Sequence, residues 1–392
     1  MNNQHQMNVS ILSIFFLIMA PALLIPAMQS MSIAFPGVPF STILLSQTLP
    51  CLILIPTAII AGALAGTIIK YKSLIVAGIV LFIIGGIFPY FLKDFTSILL
   101  SRAVFGIGIG MISPMGNALV LKLYRDKAQV SLLGLGNVFM MIGGIVMQLL
   151  GGILCAIGWR YTFLVHLVAI VPLFFVLFYL PEPKKDNRRS REKVRLPKAV
   201  YGYTLLFGVV VMLDYTMVLN ISSIIADRQL GTPAVAGFVL AMITFGGMMA
   251  GMAFSKVYQF VSRFTIALGI LLVAAGVGIA DFSGNIILLT LGAILTGMGF
   301  TTILPAITIE IGIIAPPAVV GIASGILTAL LNGGMFFSPF FVNIVQSVTK
   351  QNNVWFPILI AAILLAVGGI FFILFQLRKQ GTVKEIHNLM KE

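Results

Sequence analysis

KKDNRRSREKVRLPK, residues 184–198, is a strongly basic run near the middle of the chain. It contains eight of the 24 Lys and Arg residues. Long apolar stretches flank it, six before it and six after it, at 10–32, 41–66, 73–92, 95–119, 130–156, 162–180, 200–224, 234–256, 264–283, 286–311, 318–346 and 354–377. The run therefore divides the chain into two halves with equal numbers of apolar segments.

The composition requires lipid as the solvent. Hydrophobic residues make up 59% of the chain and charged residues 9%, with a mean hydropathy of +1.11. Roughly 18 or more apolar residues can cross about 30 Å of hydrocarbon as a helix. We therefore predict an all-α polytopic membrane protein with twelve transmembrane helices. Residues 1–183 would form one six-helix bundle, 184–198 a cytoplasmic linker, and 199–392 the second bundle with a cytoplasmic tail.

The positions of the basic residues predict the orientation. The net charge of +13 could indicate nucleic-acid binding, but nineteen Lys and Arg lie in alternate connections and in the C-terminal tail. Four lie in the opposite connections, and Arg102 lies within a span. Cytoplasmic loops are enriched in Lys and Arg, so both termini are expected in the cytoplasm of a cell-membrane protein that does not bind nucleic acid.

The two halves share an internal repeat at an offset of 191 residues. FGIGIGMISP, residues 105–114, aligns with TGMGFTTILP, residues 296–305, so that two glycines and a proline coincide. At the same offset Gly134 falls on Gly325 and Gly143 on Gly334. Small residues at such spacings let transmembrane backbones approach closely. Duplicated helical units are the plan of many secondary transporters, with the substrate site between the halves near the midplane.

Short motifs recur at matching places in the two halves. GALAGTIIKYK, residues 62–72, places Gly66 four residues after Gly62 and is followed by Lys70. A second copy begins at Gly251 and has Ser255 at the position of Gly66.

The fourth, fifth and eleventh spans carry further motifs. In LLSRAVFGIGIG, residues 99–110, Arg102 precedes Gly106 and Gly110. The fifth span contains Gly134, Gly143, Gly151 and Gly152, and the eleventh span contains Ser338-Pro339. With these motifs the chain resembles the major facilitator superfamily over essentially its whole length. The resemblance implies two pseudo-symmetric six-helix bundles whose first and fourth helices line a central cavity.

Two departures separate the chain from the proton-driven export branch that it resembles. Gly66 and Ser255 stand where the family signature has an acidic residue, and Met147-Gln148 replaces the Gly-Pro pair of the fifth span. Both export of an amphiphilic or hydrophobic compound and uptake of an organic anion therefore remain open.

Two charged residues inside spans are the first candidates for function. A charge at the centre of a membrane helix costs about 2.5 to 3.5 kcal/mol, so it persists mainly where it faces a cavity or a partner. Arg102 lies roughly 10 Å and Asp214 roughly 15 Å from one membrane face, at 1.5 Å per residue. The hypothesis is that Asp214 binds the coupling proton or a cationic group of the substrate, and that Arg102 is its counter-charge or an anchor for an anion. The alternative is that Arg102 hydrogen-bonds helix carbonyls and Asp214 caps a local kink.

Uncharged polar residues in the spans are the candidates for the substrate cavity. Each could instead bond to a neighbouring helix, which is the commoner use of such residues in membranes. The candidates are Gln29, Ser113, Asn117, Gln148, Tyr215, Asn220, Thr301, Thr302 and Asn332.

The predicted function is secondary active transport of a small organic solute by alternating access, coupled to protons. The sequence has no metal-ligand cluster, no nucleophile with a base and no Walker loop, so neither an enzyme nor a cofactor is expected. A proton-independent uniporter is the alternative, and a non-transporting membrane sensor is a weaker one. The expected partners are the substrate, a proton and the bilayer, and the protein is expected to act as a monomer.

Overall fold

The structure is a computed structural model that describes residues 3–183, 196–316, 319–351 and 353–389. Most of the predicted linker, 184–198, lies outside these ranges.

Long helices make up nearly all of the described chain. In the first half they are α1 (Gln4–Ala34), α2 (Phe40–Leu64), α3 (Tyr71–Tyr90), α4 (Phe95–Leu123), α5 (Asp126–Ile157) and α6 (Trp159–Tyr179). In the second half they are α7 (Lys198–Asp227), α8 (Pro233–Val261), α9 (Thr265–Phe282), α10 (Ile286–Ile314), α11 (Val320–Thr349) and α12 (Trp355–Leu389).

Eleven segments of the described chain are long and apolar enough to cross a membrane. The longest of them, Pro233–Phe282, contains both α8 and α9, which are separated by a turn at Ser262–Phe264. Ser262 adopts a φ of 52°, a left-handed conformation that ends a right-handed helix. Counted in this way, the described chain has the twelve helices that its hydropathy predicts.

Side chains bond to the backbone at both ends of α3 and α6. Glu182, just beyond α6, accepts hydrogen bonds from the backbone N–H groups of Tyr71 at 2.7 Å and Lys72 at 3.0 Å, where α3 begins. At the other end of the same helices, Arg160 donates to the carbonyl of Leu92 at 3.2 Å. We call the end at which α1 begins the terminal side and the opposite end the distal side. Glu182 therefore lies on the terminal side and Arg160 on the distal side.

Each half has an arginine stacked on a tryptophan at the distal start of its last helix. Arg160 lies 4.6 Å from the ring centroid of Trp159, and Arg228 lies 3.6 Å from that of Trp355. Arg228 also donates to the carbonyl of Ser283, which is the repeat equivalent of Leu92 at the offset of 191. Arginine on tryptophan is a favourable cation–π arrangement. An arginine that stacks on a tryptophan and bonds to a backbone carbonyl thus stabilises the distal end of each bundle.

Glycines produce matching close contacts in the two halves. A Cβ atom on Gly106 of α4 would lie 2.9 Å from the Cα of Pro50 in α2. A Cβ on Gly297 of α10 would lie 1.8 Å from the carbonyl oxygen of Ile243 in α8. In both halves the fourth helix therefore needs glycine to pack against the second.

The fifth helix of each half packs in the same way against the first. A Cβ on Gly143 of α5 would lie 2.2 Å from the Phe16 oxygen of α1. One on Gly334 of α11 would lie 2.4 Å from the Gly208 oxygen of α7. The offset of 191 residues thus corresponds to a repeated packing arrangement, and the fold is two pseudo-symmetric six-helix bundles.

Candidate functional site

The two bundles meet through paired amide and hydroxyl side chains. Gln29, near the distal end of α1, accepts a hydrogen bond from Ser223 Oγ of α7 at 2.8 Å. The backbone N–H of Gln29 also donates to Ser222 Oγ at 3.4 Å. The first helix of each bundle is therefore bonded to the first helix of the other.

Two more glutamines of the first bundle repeat this pairing. Gln47 of α2 donates through Nε2 to the hydroxyl of Tyr215 in α7 at 3.3 Å. Gln148 of α5 accepts from Thr244 Oγ1 of α8 at 3.1 Å. We call the set the cross-half seam, comprising Gln29, Gln47, Gln148, Tyr215, Ser222, Ser223 and Thr244.

The seam lies in the distal part of the membrane. At 1.5 Å per residue its members are about 6 to 18 Å from the distal ends of their helices. Beside it, a Cβ on Gly152 would lie 2.8 Å from the Pro233 carbonyl oxygen and 2.9 Å from the Cα of Gly237, so α5 and α8 also touch across the halves. The structure is therefore closed between the bundles on the distal side.

A cavity of about 270 Å³ lies between the bundles on the terminal side. Its walls come from α2, the middle of α4 and α11, and they are almost wholly apolar. The hydroxyl of Thr328, the only polar side chain among them, already donates to the Ser324 carbonyl at 3.0 Å. The lining residues are Leu54, Ile55, Ala58, Ile59, Gly62, Pro114, Gly325, Thr328 and Ala329.

Arg102 lies inside the first bundle and is completely buried. Its Nε donates to the carbonyl oxygen of Ser46 in α2 at 2.9 Å, and its guanidinium carbon lies 4.1 Å from the ring centroid of Phe105. Neither Nη1 nor Nη2 has a hydrogen-bond partner among the described residues. This geometry corresponds to the alternative in which Arg102 bonds a helix carbonyl.

Asp214 lies in α7 of the second bundle and is 5% exposed. It forms no hydrogen bond or ion pair with any described residue, and its Oδ1 is buried without a partner. The expected contact with Arg102 is therefore not made in this conformation. Arg102 instead bonds to Ser46 of α2, whose next residue, Gln47, bonds to Tyr215, the neighbour of Asp214 in α7.

Some of the remaining polar candidates belong to the seam, and others bond to the backbone of their own helix. Gln29, Gln148 and Tyr215 belong to the seam. Asn220 donates to the Thr216 carbonyl at 2.7 Å and Asn332 to the Thr328 carbonyl at 2.9 Å, each within its own helix.

Four further candidates lie in α4 and α10. Thr302 likewise bonds within its helix, to Met298 O at 2.7 Å. The side chain of Thr301 packs against Gly247 of α8. Ser113 is partly buried and Asn117 is exposed.

The predicted packing glycines also divide into two groups. A Cβ would collide with a neighbouring helix at Gly106, Gly110, Gly143, Gly151, Gly152 and Gly334. At Gly62, Gly134 and Gly325 a Cβ would meet nothing within 4 Å, and at Gly251 only an ordinary contact at 3.6 Å. Pro339 lies buried within α11.

The connection between α2 and α3 explains why a glycine occupies the acidic position of the family signature. Gly66 has a φ of 69°, a backbone conformation that residues other than glycine rarely adopt. Its N–H donates to the Ile69 carbonyl at 2.8 Å. A Cβ there would also lie 2.4 Å from the Tyr71 ring. Lys70 is exposed and immediately precedes α3.

Four members of the seam were not among the sequence candidates. They are Gln47, Ser222, Ser223 and Thr244. The sequence does not distinguish an uncharged polar residue that bonds within its own helix from one that bonds to the other bundle. For Gln47 a signal was available, because Ser46, Gln47 and Thr48 are three consecutive polar residues in a mainly apolar helix.

Comparison with known families agrees with this architecture. The family model described as Major Facilitator Superfamily matches residues 10–219, just over half of the chain. The chain belongs to the major facilitator superfamily. It is therefore a multi-pass membrane transporter of that superfamily.

One relative and two solved structures each share less than a quarter of their residues with this chain. A "Probable sugar efflux transporter" of Haemophilus influenzae (strain PittGG) is 23% identical to this transporter over 322 residues, 79% of each chain. The crystal structure of a bacterial homolog of the human lysosomal transporter Spinster, inward-facing and occupied, superposes with a TM-score of 0.74 at 15% identity, over 95% of this chain and 97% of the other. The nucleoside transporter NupG gives 0.76 at 13% identity, over 95% and 100%. These structures share the fold.

Proposed function

We propose that this transporter exports an uncharged small organic solute bearing hydroxyl groups, by alternating access between the two bundles. The observation that carries the proposal is the neutral chemistry of the cross-half seam, where every side-chain pair joins an amide to a hydroxyl. Amides and hydroxyls can exchange these bonds for bonds to a polyhydroxylated solute without burying a charge. The likeness to a sugar efflux transporter supports the same class.

The location of Arg102 argues against an organic anion as substrate. The guanidinium is completely buried, and it is bonded to Ser46 and stacked on Phe105 within one bundle. An anion anchored there would have to enter the first bundle rather than the cleft between the bundles.

A drug-like amphiphile is the second candidate, supported by the cavity of about 270 Å³ on the terminal side. Its volume is close to the lower end of the usual range for small-molecule pockets, about 300 Å³. Its apolar walls would suit the hydrophobic part of such a compound.

We assign the terminal side to the cytoplasm because nineteen of the 24 Lys and Arg residues belong to that side. The cavity would then lie on the cytoplasmic side, where a compound that is to be exported must bind. Residues 184–198 would be the cytoplasmic linker between the bundle of 1–183 and that of 199–392.

Asp214 is the proposed coupling site. Its carboxylate is buried in α7 without a partner, one residue from the seam member Tyr215, so a change in its charge would be felt where the bundles meet. In the membrane interior an unpaired charge is costly. Protonation would remove that cost and favour one of the two conformations.

The test is flux in proteoliposomes with sugars, an organic anion and a lipophilic cation as probes, with and without an imposed pH gradient. We expect uptake of a sugar into inside-out vesicles, stimulated by the gradient in the wild type and insensitive to it in Asp214→Asn. The control is Asp227→Asn, at the exposed distal end of α7. Flux of the anion alone would overturn the substrate proposal. Gradient-independent sugar flux in the wild type would leave a uniporter.

A further inference from the structure

Pro50 lies inside α2 and leaves one carbonyl of that helix without its usual partner. In an α-helix the N–H of residue 50 would donate to the carbonyl of residue 46, but proline has no N–H. The carbonyl without a donor is that of Ser46, which accepts the hydrogen bond from Arg102 Nε at 2.9 Å. The arginine of α4 therefore supplies the hydrogen bond that the proline of α2 cannot.

The second bundle lacks both members of this arrangement. At the repeat offset the residue equivalent to Arg102 is Ala293, which is fully buried in α10. The helix equivalent to α2 is α8, whose only proline is Pro233 at its first turn. There the backbone can complete its own hydrogen bonds. The arginine is thus found in the half whose second helix has interior prolines, Pro50 and Pro56 of α2, and is missing from the half whose second helix has none.

The bond between Arg102 and Ser46 lies next to a contact between the two bundles. Ser46 is followed by Gln47, whose side chain bonds to Tyr215 of the other bundle. Gln47 is fully buried, so a small shift of α2 would misplace its amide. Nη1 and Nη2 of Arg102 have no hydrogen-bond partner among the described residues, so the bond to Ser46 is the one side-chain hydrogen bond of Arg102 there, beside its stacking on Phe105.

We propose that Arg102 is a positioning residue that replaces the backbone donor missing at Pro50 and thereby holds Gln47 against Tyr215. Its donor function at Nε is what matters, and its charge is not required.

Two variants of equal side-chain length distinguish the hydrogen-bond donor at Nε from the charge of the guanidinium. In Arg102→Gln the amide Nε2 occupies the place of arginine Nε, so a neutral donor is kept while the charge and both Nη groups are lost. In Arg102→Met no donor remains. A third variant, Pro50→Ala, restores the N–H of residue 50, and Pro50→Ala combined with Arg102→Met tests whether that N–H can replace the arginine.

The first readout is distal closure, which needs no knowledge of the substrate. Spin labels at Gly37→Cys and Asp227→Cys, both exposed distal positions, report the separation of α1–α2 from the end of α7, and the native Cys51 and Cys155 are buried. We expect Arg102→Met to lower the closed-to-open ratio about tenfold, because a buried unpaired carbonyl is costly. Arg102→Gln should remain within about threefold of wild type, and the double variant should recover.

The second readout is the midpoint of thermal unfolding in detergent, measured as a double-mutant cycle. Arg102→Met should lower the midpoint less in the Pro50→Ala background than in the wild type, even if Pro50→Ala itself alters distal closure. Equal losses for Arg102→Gln and Arg102→Met would overturn the proposal in favour of a role for the charge. Additive effects of Arg102→Met and Pro50→Ala, or a wild-type distance distribution in Arg102→Met, would also overturn it.

Discussion

Ser223 donates a hydrogen bond to the side chain of Gln29 at 2.8 Å, and this bond joins the first helices of the two bundles. It is the most distal pair of the cross-half seam. Since the pairs are neutral, each is expected to contribute about 0.5 to 1.5 kcal/mol to distal closure. A conformational equilibrium held by a few such bonds can be reversed by a ligand that binds one state better.

Removing the Gln29 amide should favour opening of the distal side. In Gln29→Ala we expect the closed-to-open ratio to fall roughly two- to tenfold, the factor that corresponds to one net hydrogen bond. Distances between spin labels at residues 37 and 227 would measure this ratio. Gln346→Ala is the matched control, because Gln346 bonds to Asn353 within the second bundle. An unchanged ratio in Gln29→Ala would exclude the pair as part of the closure.

Gln47 and Tyr215 should be energetically coupled across the bundles. Gln47→Leu and Tyr215→Phe each remove one partner of the 3.3 Å bond and preserve most of the side-chain volume. A double-mutant cycle on distal closure should give a coupling of about 0.5 to 1.5 kcal/mol. If the two effects simply add, the side chains act independently and the bond does not contribute.

A larger residue at Gly152 should prevent distal closure. In Gly152→Val the added atoms would overlap the Pro233 carbonyl and Gly237, and overpacking of this kind costs about 1 to 3 kcal/mol. We expect longer distal distances and transport that is slower by about fivefold or more, judged by the proteoliposome assay. Gly368→Val is the control, because a Cβ on Gly368 meets nothing within 4 Å. Normal transport by Gly152→Val would mean that the α5–α8 contact is not needed.

The Arg228–Trp355 contact should stabilise the second bundle. Trp355→Leu removes the ring that lies 3.6 Å from the guanidinium, and we expect a loss of about 0.5 to 2 kcal/mol of stability. Thermal unfolding in detergent would measure it. Phe282→Leu changes an exposed aromatic residue at the same distal level, 73% exposed, and should have little effect. Equal shifts for the two variants would indicate a general response to losing an aromatic ring.

Much of the fold could be predicted because its determinants are local. Twelve apolar runs suffice to predict twelve helices, since a helix satisfies its own backbone hydrogen bonds in lipid. The repeat offset correctly aligned Gly106 with Gly297 and Gly143 with Gly334, because close helix contacts require small residues at the same relative positions in both halves. Gly62, Gly134 and Gly325 fit the same pattern yet have no close neighbour in this conformation.

The candidate site was predictable only in part. Arg102 and Asp214 stand out in the sequence because charges in spans are rare, but similar depth along two helices does not reveal whether the two side chains face each other. Pro50 marks the carbonyl at residue 46 as lacking its backbone donor, and only the structure identifies Arg102 as the donor.

The membrane environment and the helix count follow from the amino-acid sequence alone, because they depend on how much apolar surface each segment carries. The two-fold repeat follows from it as well, because small residues recur at one offset in both halves. Which polar groups meet is known only from the packed structure. It paired Gln29, Gln47 and Gln148 with hydroxyls of the other bundle and bonded Arg102 to Ser46 of α2 rather than to Asp214. The physical reason is that a hydrogen bond depends on about 3 Å of distance and on direction, and neither is set until all twelve helices have packed.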